Sequence, residues 1–362
     1  MRIMIYITGM EGGGAERQTA ILSNNFTLSG HDVCIVVKTH GRSRYMLHQK
    51  VRIIVARKLR DSQNKVQAII NNISNIMSIG KIIRKEAPDI VFCVGITRLF
   101  DVVFATVLKS NVRVVYFEVS NPYKNLHDKT WKLLKRPLSR VADGCLFQTE
   151  RAAGYYPISV RKRSAVIPNP IESQRYENLK DISKRKKVIV SAGRLIPLKG
   201  YDVLLKAFSK VSDVFPDYNL VIYGEGGERE SLSVLSKTLG ISHKVNFPGF
   251  SEDIISDIYD ASVFVLSSHH EGMPNTLMEA MACGIPCVST DCEMGPRELI
   301  DDGVNGLLVP VGDVDKMADA IISLLSSSEF ASSLGKNAKR ILKTHDERFI
   351  SSKLLDYFSS LR

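Results

Sequence analysis

Nowhere in these 362 residues do about 18 apolar residues run without a charge, so no membrane-spanning helix is expected. The best candidate, Ile90 to Leu108, is broken by Arg98 and Asp101 and reads as a strand, a loop and a buried helix. The opening run Met1 to Ile7 is cut off by Glu11 to Arg17, so it reads as a first strand and not a signal peptide; a cytoplasmic location is expected. A single tryptophan is too few for a stacking groove, which argues against single-stranded nucleic acid as a partner. The six cysteines (Cys34, Cys93, Cys145, Cys283, Cys287, Cys292) show no zinc-type pairing. Cys283 and Cys287 lie four apart, but Gly284 and Pro286 between them mark a helix end, and reduced buried thiols are expected throughout. A Gly-x-Gly-x-x-Gly dinucleotide fingerprint is missing as well. Asp313-Val314-Asp315 precedes an amphipathic stretch and reads as a helix cap, so neither a metal nor a cofactor is expected.

Acidic residues are scarce in one half only. Residues 1–170 hold 27 Lys/Arg against 11 Asp/Glu, whereas 171–362 hold 22 against 27, so +16 faces −5 within a net charge of +11. The basic half should meet an acidic partner. With 44% hydrophobic and 7% aromatic residues, the chain has the composition of a globular protein, and its length suits two domains of roughly 150–180 residues.

Short β-branched runs alternate with amphipathic stretches, the pattern of parallel α/β sheets. Strands are predicted near 3–7, 32–38, 51–56, 90–94, 112–117, 144–148 and 165–167. A second set is predicted near 188–192, 219–223, 245–248, 261–266, 286–289 and 306–309. Each half can wind a double Rossmann-like sheet, whose ligands bind at the carboxyl ends of the strands. The domains are read as 1–170 and 188–345, joined by a linker at 171–187 that follows Pro168-Asn169-Pro170 and lacks apolar periodicity. The amphipathic tail at 346–362 is a further helix.

The most informative stretch is His270-Glu271-Gly272-Met273-Pro274-Asn275-Thr276-Leu277-Met278-Glu279, between an apolar strand and Gly284. A helix starting near Pro274 leaves the N–H groups of Asn275, Thr276 and Leu277 without acceptors, which favours an anion there. Glu271 then lies on the loop and Glu279 about 6 Å along the helix, so two carboxylates bracket a phosphate-sized electropositive spot. Gly193-Arg194-Leu195-Ile196-Pro197-Leu198-Lys199-Gly200 follows another strand and holds two cations on one loop, suited to a diphosphate on which charge grows. Gly12-Gly13-Gly14-Ala15-Glu16-Arg17 lets the backbone come close to a ligand. Read alone, each of these motifs is also compatible with solvated charges or a plain strand-to-helix turn.

Together the motifs resemble glycosyltransferase family 4, the retaining enzymes of the GT-B fold, in which two doubly wound Rossmann-like domains face a central cleft. The resemblance covers nearly the whole chain and is most specific at 188–300. It implies donor-diphosphate roles for Arg194 and Lys199, and contacts to the sugar and ribose from Glu271 and Glu279. It places Gly14, Gly193, Gly224, Phe250, Gly272, Met273, Pro274, Asn275 and Thr276 around the donor. Gly13, Glu16, Arg17 and Glu118 fall on the acceptor side. Val119 stands where many relatives carry a histidine, and the tail helix corresponds to one that returns to the first domain. Within the family the chain looks like bacterial enzymes that move a hexose or N-acetylhexosamine from a UDP-sugar to an undecaprenyl-diphosphate-linked saccharide. The basic segment Lys124 to Arg136, with Trp131, then suggests contact with the anionic inner face of the cytoplasmic membrane. A soluble-acceptor transferase, a sugar-nucleotide epimerase or hydrolase, and a noncatalytic sugar-nucleotide binder remain as alternatives.

Overall fold

A computed structural model describes residues 1–39, 41–56, 64–106, 112–123, 129–177, 179 and 185–361, with the backbone alone at 65, 66, 68, 129, 130 and 132. The chain divides into two compact units, Met1–Pro170 with Glu347–Arg362, and Ile171–Asp346.

Unit 1 is built on seven parallel strands: β1 (Arg2–Ile7), β2 (Asp32–Val37), β3 (Arg52–Val55), β4 (Ile90–Val94), β5 (Arg113–Glu118), β6 (Gly144–Phe147) and β7 (Ser164–Val166). Their order is β3-β2-β1-β4-β5-β6-β7, so the winding reverses between β1 and β4. Every residue of β4 is buried, as expected for a strand covered by helices on both faces. The helices used below are α1 (Gly14–Leu28), α2 (Lys65–Glu86), α3 (Ile96–Thr106) and α4 (Lys129–Val141). The terminal helix Glu347–Ser360 belongs to this unit. Its Phe358 is sealed between Phe26 and Phe92, with ring centroids 5.9 and 5.6 Å away. The Tyr357 hydroxyl accepts from Cys145 N–H at 3.0 Å and donates to the Arg163 carbonyl at 2.6 Å, fastening the helix to the sheet.

Unit 2 repeats the scheme with β8 (Lys186–Ala192), β9 (Asn219–Tyr223), β10 (Val245–Gly249), β11 (Ala261–Leu266), β12 (Cys287–Thr290) and β13 (Leu307–Val309). The order is β10-β9-β8-β11-β12-β13, reversing between β8 and β11. Three strands, at 90–94, 219–223 and 261–266, have the bounds expected from sequence.

The segment read as a linker needs correction. Ile171 and Tyr176 are core residues of unit 2, a short helix spans Gln174–Glu177, and β8 begins already at Lys186. Two isolated apolar anchors in a charged stretch show no periodicity, yet each buries a full side chain. Residues 178 and 180–184 of that segment lie outside the described residues. All six cysteines are buried and unbonded. Among the described residues no helix is long and apolar enough to cross a membrane.

Candidate functional site

Four strand ends of unit 2 present the expected donor residues along one edge of the sheet, and two of these strands, β8 and β11, flank the point where the strand order reverses. Close backbone approaches hold that edge together. Gly224 N–H donates to the Gly249 carbonyl at 2.7 Å and Gly193 N–H to the Tyr223 carbonyl at 2.9 Å. A Cβ on Gly224 would sit 1.9 Å from the Gly193 carbonyl oxygen, so only glycine fits. Phe250 follows β10 and is a little under half exposed.

The loops after β8 and β11 are stitched by Ser267, whose hydroxyl donates to the Lys199 carbonyl at 2.8 Å, and by His269 N–H, which donates to the Leu198 carbonyl at 2.8 Å. Gly200 permits this contact, since its Cβ would lie 2.2 Å from the Ser267 carbonyl oxygen. Lys199 Nζ consequently meets Glu271 Oε1 at 2.6 Å, with side chains 18% and 10% exposed. Ser268, fully buried, donates its hydroxyl to the same oxygen at 2.6 Å. Lys199 and Glu271 were expected to serve separate parts of a donor; here they form one unit. The Arg194 side chain is exposed and has no protein acceptor among the described residues.

The helix Asn275–Ala282 starts directly after Pro274, so the N–H groups of Thr276 and Leu277 lie in its first turn and have no acceptor within the helix. Thr276 donates its hydroxyl to the Ala192 carbonyl at 3.1 Å and thereby docks the helix on the end of β8. Glu279 is buried in the second turn, while Glu271 and Gly272 stay half-buried on the loop. Met273, expected at the donor, turns its side chain into the core, so only its backbone is free to meet a ligand. Gly295 backs this loop at a spacing that excludes any Cβ, 2.3 Å from the Gly272 carbonyl oxygen.

Asp313 accepts from Lys316 N–H at 2.9 Å and caps the helix Val314–Ser326, as its spacing implied; Asp315 pairs with Lys210.

In unit 1 the glycine loop opens α1. Gly13 is the N-cap, and the Glu16 carboxylate folds back over it. Tyr45 clamps the same glycine, its hydroxyl accepting from Gly13 N–H and donating to Gly13 C=O, both at 2.9 Å. Nothing in the sequence near residue 13 announces Tyr45. Gly14, Ala15 and Arg17 follow in the first turn.

Glu118 departs most from expectation. Its carboxylate does not face outward: Oε2 accepts from Tyr116 at 2.8 Å and Tyr156 at 2.6 Å and meets Lys135 Nζ at 2.7 Å. Oε1 accepts from the Ser120 hydroxyl at 2.7 Å and its N–H at 3.2 Å. The Lys135 and Glu118 side chains are 1% and 2% exposed. Burial, and next the Glu118 charge, push both tyrosine phenols well above their usual range, so they remain donors. Lys135 therefore drops out of the basic surface expected at Lys124 to Arg136. Trp131 leans edge-on against Phe100 at 5.6 Å, and Lys124 to Asp128 lie outside the described residues. Val119 packs against the unit 1 core.

The comparisons with known proteins agree with both sheets. Residues 12–175 match the model described as Glycosyltransferase Family 4 and residues 173–341 the one described as Glycosyl transferases group 1. A Campylobacter jejuni protein is 25% identical over all of this chain and 99% of its own length. It is named GalNAc-alpha-(1->4)-GalNAc-alpha-(1->3)-diNAcBac-PP-undecaprenol alpha-1,4-N-acetyl-D-galactosaminyltransferase. An uncharacterized glycosyltransferase of Haemophilus influenzae is 26% identical, over 88% of each chain. The crystal structure of Anabaena HepE in complex with UDP-glucose superposes with a TM-score of 0.85, at 18% identity, covering 99% of this chain and 100% of that one. Matched in order along nearly its whole length, and wound in two parallel sheets like its structural neighbours, the chain belongs to the family 4 glycosyltransferases of the GT-B fold.

Proposed function

We propose that this chain is a retaining, metal-independent transferase that moves a hexose or N-acetylhexosamine from a UDP-sugar to an undecaprenyl-diphosphate-linked saccharide. The observation that carries the reading is the Lys199–Glu271 contact, together with the first-turn N–H groups of Thr276 and Leu277 in the helix that follows Glu271. A donor diphosphate on those N–H groups has Arg194 and Lys199 to balance the charge that grows as its bond to the sugar breaks. The acceptor oxygen bonds to the anomeric carbon on the face the phosphate leaves, and its proton passes to a leaving phosphate oxygen. Glu271 holds Lys199 by one oxygen and turns the other toward the sugar; Glu279 serves the ribose. No step calls for a metal, and the one Asp-x-Asp is engaged in capping and in an ion pair. The acceptor class follows the Campylobacter jejuni relative's name, and the uridine donor follows the Anabaena complex.

The test is a panel of UDP-sugars against lipid-diphosphate-linked saccharides, with product configuration read by NMR. An α-linked product from an α-linked donor, with activity within about twofold after chelation, is the expected result. Inversion, or chelator loss that magnesium reverses, contradicts the mechanism, and turnover confined to soluble acceptors contradicts the acceptor.

Such an acceptor lies in a membrane, and α2 supplies a surface suited to one. Ile69, Ile70, Ile73 and Met77 are each more than half exposed along one side of this helix, and exposed Lys81, Arg84 and Lys85 follow. An apolar stripe bordered by cations is the pattern of a helix lying in the interface plane of an anionic bilayer. We therefore assign the proposed membrane contact to α2 and not to the segment with the buried Lys135. Replacing Ile70, Ile73 and Met77 together with serine should weaken binding to acidic vesicles at least about 10²-fold, at roughly 1 kcal/mol or more per inserted side chain. Cosedimentation measures it. Unchanged partitioning contradicts the α2 surface.

A further inference from the structure

The strand order of unit 1 also reverses, between β1 and β4, and the crevice at that point holds a polar cluster that neither donor chemistry nor the glycine loop uses. Lys38 follows β2, Thr8 follows β1, and Thr97 and Arg98 lie in the first turn of α3. The Arg98 guanidinium donates to the hydroxyls of both Thr8 and Thr97. A hydroxyl that accepts in this way keeps its own O–H to donate outward. Arg98 Nε is buried and has no acceptor among the described residues. The N–H groups of Ile96 and Thr97 begin α3 and so have no acceptor within the helix.

The cations are held in place from behind. Lys38, nine-tenths buried, meets Asp101 Oδ2 at 2.5 Å; that oxygen also accepts from the Tyr6 hydroxyl at 2.8 Å, and Asn75 Nδ2 donates to Tyr6 at 3.1 Å. Burial, and next the nearby Arg98 charge, push the Lys38 ammonium below the usual lysine range, while Asp101 pulls it back. One carboxylate thus stands against two cations, leaving one positive charge in excess. A purely structural ion pair needs neither Arg98 nor the two hydroxyls at the exposed mouth.

We propose that Thr8, Lys38, Thr97, Arg98 and the start of α3 form a phosphate site that takes the diphosphate of the acceptor. Hydroxyls, a helix start and a guanidinium fit a tetrahedral, multiply charged oxyanion. The acceptor is the substrate expected to bring one that is not the donor's. The inference rests on the lipid-diphosphate reading of the acceptor given above.

The experiment uses the full chain and titrates farnesyl diphosphate as a short isoprenoid probe, with inorganic pyrophosphate and UDP in parallel. Arg98→Gln should weaken farnesyl diphosphate binding at least about tenfold, the loss expected for a charge-assisted hydrogen bond, and leave UDP affinity and the melting temperature unchanged. Thr8→Val should act in the same direction. Equal affinity in wild type and Arg98→Gln overturns the site, and displacement of the probe by UDP assigns the anion to the donor site instead. Binding of pyrophosphate but not of the farnesyl probe overturns the acceptor assignment. Turnover separates this inference from the functional reading. If lipid-diphosphate saccharides are used and Arg98→Gln leaves their KM unchanged, only this inference fails. If the wild type uses none of them, the acceptor reading itself fails.

Discussion

Lys199→Met should lower turnover by about 10²-fold or more, and Arg194→Ala by a similar factor, the scale on which removing an electrostatic stabiliser of the transition state acts. Lys199 carries a second expectation because its ammonium lies 2.6 Å from Glu271. Glu271→Gln keeps the shape of the side chain but frees Lys199 from the charge that aims it, so this substitution also loses turnover. Residues acting as a unit are not additive, and the double variant Lys199→Met with Glu271→Gln should be little worse than the poorer single variant. Arg194, with no such partner, should combine multiplicatively with either. Single-turnover rates on all the variants decide this. Additive losses for Lys199 and Glu271 would show that they serve the donor independently, and near-normal turnover for Arg194→Ala would remove its role.

The largest effect on stability is expected at the buried ion pair of unit 1. Lys135→Met leaves the Glu118 carboxylate in the interior with its tyrosine and serine donors but without its counter-charge, which typically costs about 3–5 kcal/mol. The melting temperature of the unit should fall by roughly 6–20 °C. Adding Glu118→Gln to that variant removes the orphaned charge and keeps one oxygen as acceptor for Tyr116 and Tyr156, while the amide NH2 now faces Ser120, whose hydroxyl can turn to accept from it, so much of the loss should return. Thermal unfolding of the single and double variants reads both numbers. A single variant within about 1 kcal/mol of wild type, on the scale of an exposed pair, would show that water reaches Glu118.

Much of this protein was legible before any coordinates. Strands such as Ile90–Val94 and, apart from Ser262, Ala261–Leu266 are apolar runs because both faces of a parallel strand are covered, and charged, glycine or serine residues bound them. The capping role of Asp313 was legible too, since a cap acts on an N–H three residues away. The direction of Lys135 was not. A lysine among Trp131, Leu133 and Leu134 on an amphipathic helix reads as a surface cation, and only the position of Glu118 on β5 makes the inward rotation favourable. Met273 belongs with it, as a loop residue beside a charged motif whose side chain fills the core.

The sequence by itself determined two parallel α/β units, the helix that starts at Asn275, and which cations and carboxylates sit at strand ends, because these follow from local periodicity, glycine and capping chemistry. Tertiary structure alone decided which of them meet. Lys199 and Glu271 are 72 residues apart, Tyr45 and Gly13 are 32 apart, and Tyr6 reaches Asp101 across 95. Partners so far apart along the chain are brought together by the order in which strands join a sheet, and that order is set by packing the whole core and not by any short stretch of residues.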